Sequence, residues 1–443
     1  MVFHYKALSK TLSLLYLFTF FCLFKLYSFQ VPLEERPEYF FADLLNVLKD
    51  LGNNSPVLLD KEFDLEIAVA NHLEAKSEQG FRVGVNVFGH SIHEDRPNED
   101  FTHRFRTLNQ IYLRKPVYHW GALRAREEIG SLNKQWTDRS LSYRKRSLSS
   151  ELRAIFLELV ILNYRSQVAA EQIKIAQGNL KSAQDKLNVG MVTPLLLDEV
   201  KAELLNREIS LSEIKILLKR KLSTFVSLSG HSNPLNLSIS EKFWNFASTH
   251  EPDTNFPVIV GAINSAEIEN LNTQIFIENQ RIIISDAELK PKINLVGSYF
   301  QDQIDTAKSG DSVDRNNFLV GIEGNWAIWD SRKSLAQKKA SLARKAKLEH
   351  SINTKTRALR DHMNTIVTEL KSLKERIILG RKMVSVSQSR LDKSKLELEL
   401  NRISPMDHFN SVVAFDLAKI SNLEAVCNYM VLLNQYENLM DSD

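Results

Sequence analysis

The sequence predicts a mainly α-helical chain with two pairs of β-strands, built as two copies of one pattern. Three observations support this prediction. First, Pro291 ends a long helical segment, because proline lacks a backbone donor, and the residues after it alternate as a half-buried strand does. Second, the same succession of strand, polar loop, strand and helix occurs earlier in the chain. Third, matching motifs in the two halves recur at one spacing.

Two anchors set that spacing. Val117-Tyr118-His119 matches Ile328-Trp329-Asp330, and 328 − 117 = 211. The turn at Gly190 matches the turn at Asn401, and 401 − 190 = 211. Two independent anchors at one offset indicate an internal duplication. The two copies are expected to cover residues 31–242 and residues 243–443.

Each copy contains the same elements in the same order. A strand pair leads into a long helix, and a tight turn leads into a return helix. Gly or Asn at the first helix end, and Thr-Pro or Ser-Pro at the next helix start, predict each turn. Short turns make the flanking helices antiparallel neighbours. The strands are predicted at residues 81–90, 105–118, 293–300 and 317–329, and the hairpin turns at residues 188–194 and 400–405.

Composition limits the function. A net charge of +3, with 25% charged residues, gives no basic patch for nucleic acid. The two cysteines, Cys22 and Cys427, provide neither a disulfide framework nor a zinc motif. No phosphate loop, dinucleotide fingerprint, HExxH motif or nucleophile elbow occurs. We therefore expect a protein that is not an enzyme and that needs no cofactor.

The first 30 residues differ from the rest of the chain. A basic start is followed by the apolar run Thr11–Phe24, which is short for a membrane span and suits a secretory signal. Lys25 and the bulky residues after it replace a small-residue cleavage site, so a retained N-terminal anchor is the alternative. Both readings indicate export.

The strands have the length of those that cross a bilayer in a tilted barrel, roughly 9–11 residues. Backbone groups in lipid must all be paired, so four strands alone cannot span and a closed barrel of several chains is required. The alternative is a soluble sheet covered by helices, with its aromatic residues in a core. Aromatic residues cluster toward the strand ends, as in interfacial girdles, namely Phe81, Phe88, Phe105, Tyr112, Tyr118, Tyr299, Phe318, Trp326 and Trp329.

These features together resemble those of the TolC-like outer-membrane efflux protein family. The resemblance rests on Pro291–Tyr299, on Ala327-Ile328-Trp329-Asp330 before a helix, on Leu113–Gly121 and on the two hairpin turns. It covers nearly all of residues 38–440. It implies a homotrimer in which each chain gives four strands to one 12-stranded outer-membrane barrel, while the helices form a long periplasmic α-barrel.

The resemblance also implies partners and a role. Such a channel would dock a periplasmic adaptor that is joined to an inner-membrane pump or ABC transporter. It would serve as the exit duct of a tripartite efflux pump or a type I secretion system. The expected location is the outer membrane, with a periplasmic extension.

Two sets of site residues follow from the resemblance. The hairpin turns would form the adaptor-docking tip, with Val189, Gly190, Met191 and Thr193 in the first turn and Asn401, Arg402, Ile403 and Ser404 in the second. Simple helix capping is the alternative for both turns. Asp407 matches a carboxylate that narrows the pore at the tip, and Arg402 is a candidate partner for it. The alternative is that Asp407 only favours its helix N-terminus.

Two rival functions remain open. One is an enzyme, which could use a metal site in the first polar loop, with His90, His93, Glu94, Asp95, Asp100 and His103 as ligands. Solvated loop residues explain these side chains more simply. The other is a membrane-anchored coiled-coil scaffold, which explains the long helices but gives the strand pairs no role.

Overall fold

The computed structural model describes residues 31–95, 97, 102–252, 265–305 and 312–440. The predicted export signal, residues 1–30, lies outside these described residues. Among them, no helix is both long and apolar enough to cross a bilayer. The α-helices are α1 (Ala42–Asn54), α2 (Pro56–Ser77), α3 (Ala122–Asn188), α4 (Pro194–Ser229), α5 (Glu241–Thr249), α6 (Ala266–Ala287), α7 (Lys333–Glu399) and α8 (Pro405–Met440). The strands are β1 (Arg82–Glu94), β2 (Thr102–Tyr118), β3 (Lys292–Asp305) and β4 (Ser312–Asn325).

The helices repeat at the predicted offset. α3 and α7 are both 67 residues long, and α4 and α8 are both 36 residues long. Their starts differ by 333 − 122 = 211 and by 405 − 194 = 211. Left-handed backbone recurs at the same spacing, since Gly190 (φ 71°) corresponds to Asn401 (φ 54°). The mainly helical fold and the internal duplication are thus confirmed.

Two compact units divide the chain, and neither coincides with a predicted copy. The helical unit comprises Met1–Leu58, Arg144–Ser265 and Ala358–Asp443, and the sheet unit comprises Leu59–Tyr143 and Ala266–Arg357. Each unit combines segments from both halves of the sequence. The domain boundary at residues 242 and 243 stays a prediction.

Aromatic side chains form much of the core of the helical unit. Phe156 of α3 is fully buried, and its ring centroid lies 5.3 Å from that of Phe41 and 5.9 Å from that of Phe225. Phe41 also lies 5.4 Å from Phe243 of α5. Edge-on and tilted rings at these distances add attraction beyond the burial of apolar area. α8 contributes the buried side chains Phe409, Tyr429, Leu433 and Tyr436.

All four strands of the sheet unit form one antiparallel sheet in the order β1-β2-β3-β4. The two strand pairs, which the sequence suggested as separate, are therefore joined, with Ile111 of β2 opposite Tyr299 of β3. A two-stranded hairpin is marginal in water, and joining two hairpins gives each inner strand two neighbours. β1, β2 and β3 are longer than predicted.

The predicted end of the fourth strand is wrong. Residues 317–329 were expected to be extended, but β4 begins at Ser312 and ends at Asn325. The last pair in its ladder is Lys292 with Asn325, because β3 begins directly after Pro291. Residues 326–329 have no strand to pair with. Trp326 instead donates from Nε1 to the carbonyl of Leu289 at 2.9 Å.

Gly230 allows the packing at the end of α4. It has φ 70°, and a Cβ atom there would lie 1.9 Å from the carbonyl oxygen of Asn54. Gly230→Ala should therefore destabilise the helical unit by more than about 2 kcal/mol, through left-handed strain and this overlap. Loss of the helical circular-dichroism signal on heating should shift to lower temperature.

Gly178→Ala is the matched control for that change. Gly178 lies within α3, and a Cβ atom there would meet nothing within 4 Å. Alanine should stabilise the helix by up to about 1 kcal/mol. Equal midpoints for the two variants would contradict the close approach of Gly230 to Asn54.

Candidate functional site

Alternate residues divide the sheet into two faces of opposite character. The apolar face carries Val83, Val85 and Val87 of β1, Ile111 and Leu113 of β2, Leu295 and Tyr299 of β3, and Phe318, Val320 and Ile322 of β4. Most of these side chains are exposed, with Phe318 at 77% and Ile322 at 78%. Soluble monomers rarely expose so large a continuous apolar patch, so this face requires an apolar partner. The alternative of a soluble sheet with a buried aromatic core does not fit this exposure.

The opposite face is polar, and most of its charges are paired across strands. Arg106 holds Asp302 through two parallel hydrogen bonds of 2.8 and 2.7 Å. Arg114 donates from Nη2 to both carboxylate oxygens of Glu323 at 2.6 and 2.5 Å. Arg104 binds Glu94 on the same face. Charge-assisted pairs of this kind join side chains of all four strands.

Aromatic side chains gather where the strands meet the helices. Trp120 donates from Nε1 to the carbonyl of Pro291 at 2.8 Å, as Trp326 does to Leu289. The Nζ atom of Lys290 lies 4.9 Å from the Trp120 ring centroid, a cation–π distance. Trp329 is 74% exposed at the same end. Amphipathic rings with a bonded polar atom suit a membrane–water interface.

Not every aromatic residue expected in the girdle lies there. Phe88 and Tyr112 are on the polar face by their strand register. Tyr112 lies in the middle of β2, away from both strand ends. The sequence shows that these residues alternate between two faces. Only the strand pairing shows which face of the sheet each residue occupies.

The outer edges of the sheet have no strand beside them in the described chain. There β1 pairs only with β2, and β4 pairs only with β3. Each edge strand thus presents a row of unpaired N–H and C=O groups along its outer side. Such edges are templates for pairing with another chain.

The first predicted tip turn is a helix C-cap followed by an N-cap. Gly190 donates to Leu187 at 2.9 Å and Met191 donates to Lys186 at 2.8 Å, which is the Schellman pattern. Thr193 then caps α4, with Oγ1 accepting from the Leu196 amide at 3.4 Å. The turn leaves its apolar side chains in solvent, namely Val189 at 67%, Met191 at 77% and Leu195 at 69% exposed.

The second turn repeats this geometry. Asn401 donates to Leu398 at 3.0 Å and Arg402 donates to Glu397 at 2.8 Å. Asparagine tolerates the left-handed backbone that glycine adopts in the first turn. Ile403 is half-buried, and Ser404 caps α8. Both turns therefore cap their helices, as the alternative explanation held. Capping is compatible with docking, so the docking of an adaptor stays a prediction.

The two turns lie side by side. A groove of the helical unit is lined by Lys186, Val192 and Leu196 from the first hairpin and by Ser404, Pro405 and Met406 from the second. The residues that the sequence placed at a common tip are therefore together at one end of these helices. Their role in docking an adaptor stays a prediction.

Asp407 is held by its own helix end. Its Oδ2 accepts from the Ser404 hydroxyl at 2.7 Å and from the Ser404 amide at 3.2 Å, while the Asp407 amide donates to the Ser404 hydroxyl at 3.1 Å. This reciprocal arrangement is a capping box. The bonds from Ser404 lower the pKa of Asp407. Within the described chain no ion pair joins Arg402 to Asp407, and the suggested pairing of these two residues stays a prediction.

A polar bridge between three helices was not predicted. Arg207 of α4 donates to Gln172 of α3 at 2.8 Å, and Gln172 donates to Asp416 of α8 at 2.9 Å. Burial raises the pKa of Asp416 and raises that of nearby Tyr164 to about 12. In the sequence, the only sign of this bridge is that polar residues interrupt the apolar seams of the helices. This pattern does not show which of the polar residues contact one another.

Two histidines that were predicted in the first polar loop lie instead in β1 and β2, where His93 is opposite His103. The rings of His93 and His103 lie 4.7 Å apart, and the Ser91 hydroxyl lies 2.8 Å from Nε2 of His103. Across the described residues, no group of three or more His, Cys, Asp or Glu side chains is arranged to hold a metal ion. Asp100, one of the suggested ligands, lies outside those residues.

Comparisons with known proteins identify this architecture. No protein-family model matches the sequence, and no curated protein matches it either. Solved structures do match. The outer-membrane channel CmeC of Campylobacter jejuni gives a TM-score of 0.76 at 12% identity, over 91% of this chain and 88% of CmeC. CusC, solved in a study of folding and transmembrane channel formation, gives 0.73 at 14% identity, over 94% of this chain and 96% of CusC.

A third example agrees with these two. The outer-membrane protein VceC of Vibrio cholerae gives a TM-score of 0.70 at 14% identity, over 93% of this chain and 100% of VceC. The chain has the TolC-like fold. The match extends over both units, so the TolC-like fold includes the four-stranded sheet as well as the long helices.

The geometry of the hairpin turns can be tested at their left-handed residues. Gly190→Ala should open the first turn more often, because a left-handed alanine costs about 1–2 kcal/mol, roughly 5- to 30-fold in an equilibrium. Hydrogen exchange at the Gly190 and Met191 amides should accelerate accordingly. Gly190→Asn is the control, since Asn401 occupies the equivalent position, and it should exchange close to the original rate. Equal rates in both variants would contradict the turn geometry.

The capping box predicts a pH dependence. A carboxylate with a lowered pKa stabilises the fold above its unfolded value and loses this effect as the pH falls through the folded value. The start of α8 should therefore be stable at neutral pH and fray below about pH 4. Exchange at the first amides of α8, corrected for intrinsic rate, reports this fraying.

Ser404→Ala removes both contacts of the Ser404 hydroxyl, keeps the bond from the Ser404 amide to Asp407, and serves as the matched variant. Exchange at the start of α8 should then be about fivefold faster at pH 7. Its acid dependence should become smaller, because the pKa of Asp407 in the folded protein then lies nearer its unfolded value. An unchanged pH profile in Ser404→Ala would show that Ser404 does not stabilise the ionised form of Asp407.

Proposed function

We propose that this protein is a trimeric outer-membrane exit channel of a tripartite efflux pump or a type I secretion system. It conducts substrates from a periplasmic tunnel, formed by the long helices, to the outside of the cell. The solved proteins with this fold include outer-membrane channels, which supports the assignment. The channel makes and breaks no bonds and requires no cofactor.

The single observation that carries the proposal is the sheet with one exposed apolar face, one polar face and two open edges. In lipid, backbone groups that lack partners cost several kcal/mol each. Pairing β1 of one chain with β4 of the next satisfies both edges at once. Three copies of four strands then close a 12-stranded barrel, with the apolar face toward lipid and the polar face toward the lumen.

The lengths of the strands, and the tryptophans near their ends, fit such a barrel. β1 has 13 residues, β2 has 17, and β3 and β4 have 14 each, which exceeds the roughly 9–11 residues needed to cross a bilayer. The tryptophans at the helix-proximal end would mark the periplasmic interface. The outer membrane is therefore the proposed location, with the helices extending into the periplasm.

The hairpin tip supports a second part of the proposal. Val189, Met191 and Leu195 expose apolar side chains beside the groove between the two turns. An apolar, rigid tip of this kind fits a helical partner. We assign it to a periplasmic adaptor that is joined to an inner-membrane pump or ABC transporter.

Asp407 is the proposed constriction at this tip. The carboxylate is ionised at neutral pH, since its pKa is lowered from a value that is already acidic. In a trimer, three such carboxylates around one axis would attract cations and repel one another. The capping contact with Ser404 occupies only one of the two carboxylate oxygens, so the capping and pore roles are compatible.

The anchored coiled-coil scaffold explains less. It accounts for α3 and α7, but it gives no reason for exposed Phe318, Val320 and Ile322 on one sheet face. Nor does it explain why the other face pairs its charges across strands.

Substitutions on the two faces of β4 test the barrel. Val320→Asp places a charge on the apolar face, which should cost up to about 2 kcal/mol near the middle of the bilayer. The amount of protein in the outer-membrane fraction, and its resistance to mild heating in detergent, should fall sharply.

Asn317→Asp is the matched control, because Asn317 lies on the polar face of the same strand. It should assemble as the unchanged protein does. Equal assembly of the two variants, or recovery of the unchanged protein only in the inner membrane or cytosol, would contradict the barrel and favour the scaffold.

A further inference from the structure

One region of the polar face combines an excess of positive charge with a cavity. Arg82 of β1 lies directly opposite Arg114 of β2 in the strand register. Arg114 is neutralised by Glu323, through contacts of 2.6 and 2.5 Å. Arg82 is exposed and makes no ion pair within the described chain. Like charges directly opposite each other destabilise a sheet, so this pair favours an anion between or beside the two guanidinium groups.

The next two cross-strand pairs complete a pocket around this charge. Gly84 is opposite Tyr112, and Asn86 is opposite Gln110. A Cβ atom on Gly84 would lie 2.4 Å from the Tyr112 ring, so the absence of a side chain lets that ring lie across β1. The result is a flat aromatic surface between a free guanidinium and two carboxamides.

The rest of the pocket has the same mixed character. One cavity of the sheet unit is lined by the side chains named above and by Val296, Ser298 and Leu319. Guanidinium, amide and hydroxyl groups can donate hydrogen bonds to an acidic group. The Tyr112 ring, with Val296 and Leu319, offers apolar surface to the remainder of the same molecule.

We propose that this pocket is a binding site for organic anions in which one acidic group is attached to an aromatic or other apolar body. Arg82 binds the acidic group, and Tyr112 packs against the body. The site rests on the proposed function in one respect. In a trimeric barrel it occurs three times around the lumen, and it makes such anions a class of molecule that the channel passes.

Charge and pairing explain why one acidic group fits best. The pocket contains two guanidinium groups and one carboxylate, which leaves one positive charge. A ligand with a single negative charge balances it without displacing Glu323 from Arg114. A ligand with two negative charges would have to compete with Glu323 for Arg114.

The test uses the full-length protein in detergent and 1-naphthalenesulfonate as the probe, with binding measured by titration calorimetry. The unchanged protein should bind the probe saturably. Arg82→Gln should weaken binding about tenfold or more, because a hydrogen bond to a charged group is lost. Glu323→Gln should strengthen binding, because it releases Arg114.

Lys115→Gln is the matched control. It also removes one positive charge from the sheet, but Lys115 belongs to the apolar face, where its Nζ atom lies 4.5 Å from the Phe81 ring centroid. It should bind the probe as the unchanged protein does. Equal weakening by Arg82→Gln and Lys115→Gln, no effect of Arg82→Gln, or no saturable binding to the unchanged protein would overturn the proposed site.

Conductance in planar bilayers separates this site from the proposed function. A conducting protein whose current is reduced by 1-naphthalenesulfonate, with less reduction in Arg82→Gln, supports both proposals. Conductance that is insensitive to the probe counts against the site alone. Absence of conductance counts against the channel, and the calorimetric result then decides the site independently.

Discussion

The pairing of backbone groups at the edges of the sheet is the constraint on which the rest of the structure depends. β2 and β3 have a strand on either side along most of their length, whereas β1 and β4 each have one open side in the described chain. The exposed apolar face is a second constraint, because exposing apolar side chains to water is unfavourable. The proposed association of copies in a membrane would cover the apolar face and pair the open edges in one arrangement.

In the helical unit, both copies of the repeat use the same turn to reverse the direction of the chain. Helices as long as α3 and α7 must reverse without exposing many unpaired carbonyl groups. The Schellman turns at Gly190 and Asn401 satisfy those carbonyls, and the caps at Thr193 and Ser404 satisfy the amides that follow. The reversal is therefore compact and rigid, and its apolar side chains point outward at the tip.

Local chemistry allowed much of this fold to be predicted from the sequence. Pro291 and the period-two alternation located the strands, and the Gly-to-Asn exchange with the following Thr-Pro or Ser-Pro located both turns. The offset of 211 was found from two short motifs, and it agrees with the starts of the helices. The elements that were predicted well depend on neighbours in sequence.

Features that depend on distant neighbours were not predicted. The end of β4 at Asn325 is set by where β3 begins, and the pairing of β2 with β3 joins the two halves of the chain. The bridge from Arg207 through Gln172 to Asp416 joins three helices. Gly84 beneath Tyr112 appears in the sequence only as a glycine in a strand, and its partner is known only from the register.

The number of chains in the assembled protein tests the account most directly. Native mass spectrometry of the protein extracted from outer membranes in detergent should give three copies of the chain, whose full-length mass is 50.8 kDa, because three sets of four strands close the proposed barrel. A monomer would contradict the account, since its sheet would leave both edges open. A protein absent from the outer membrane would contradict it equally.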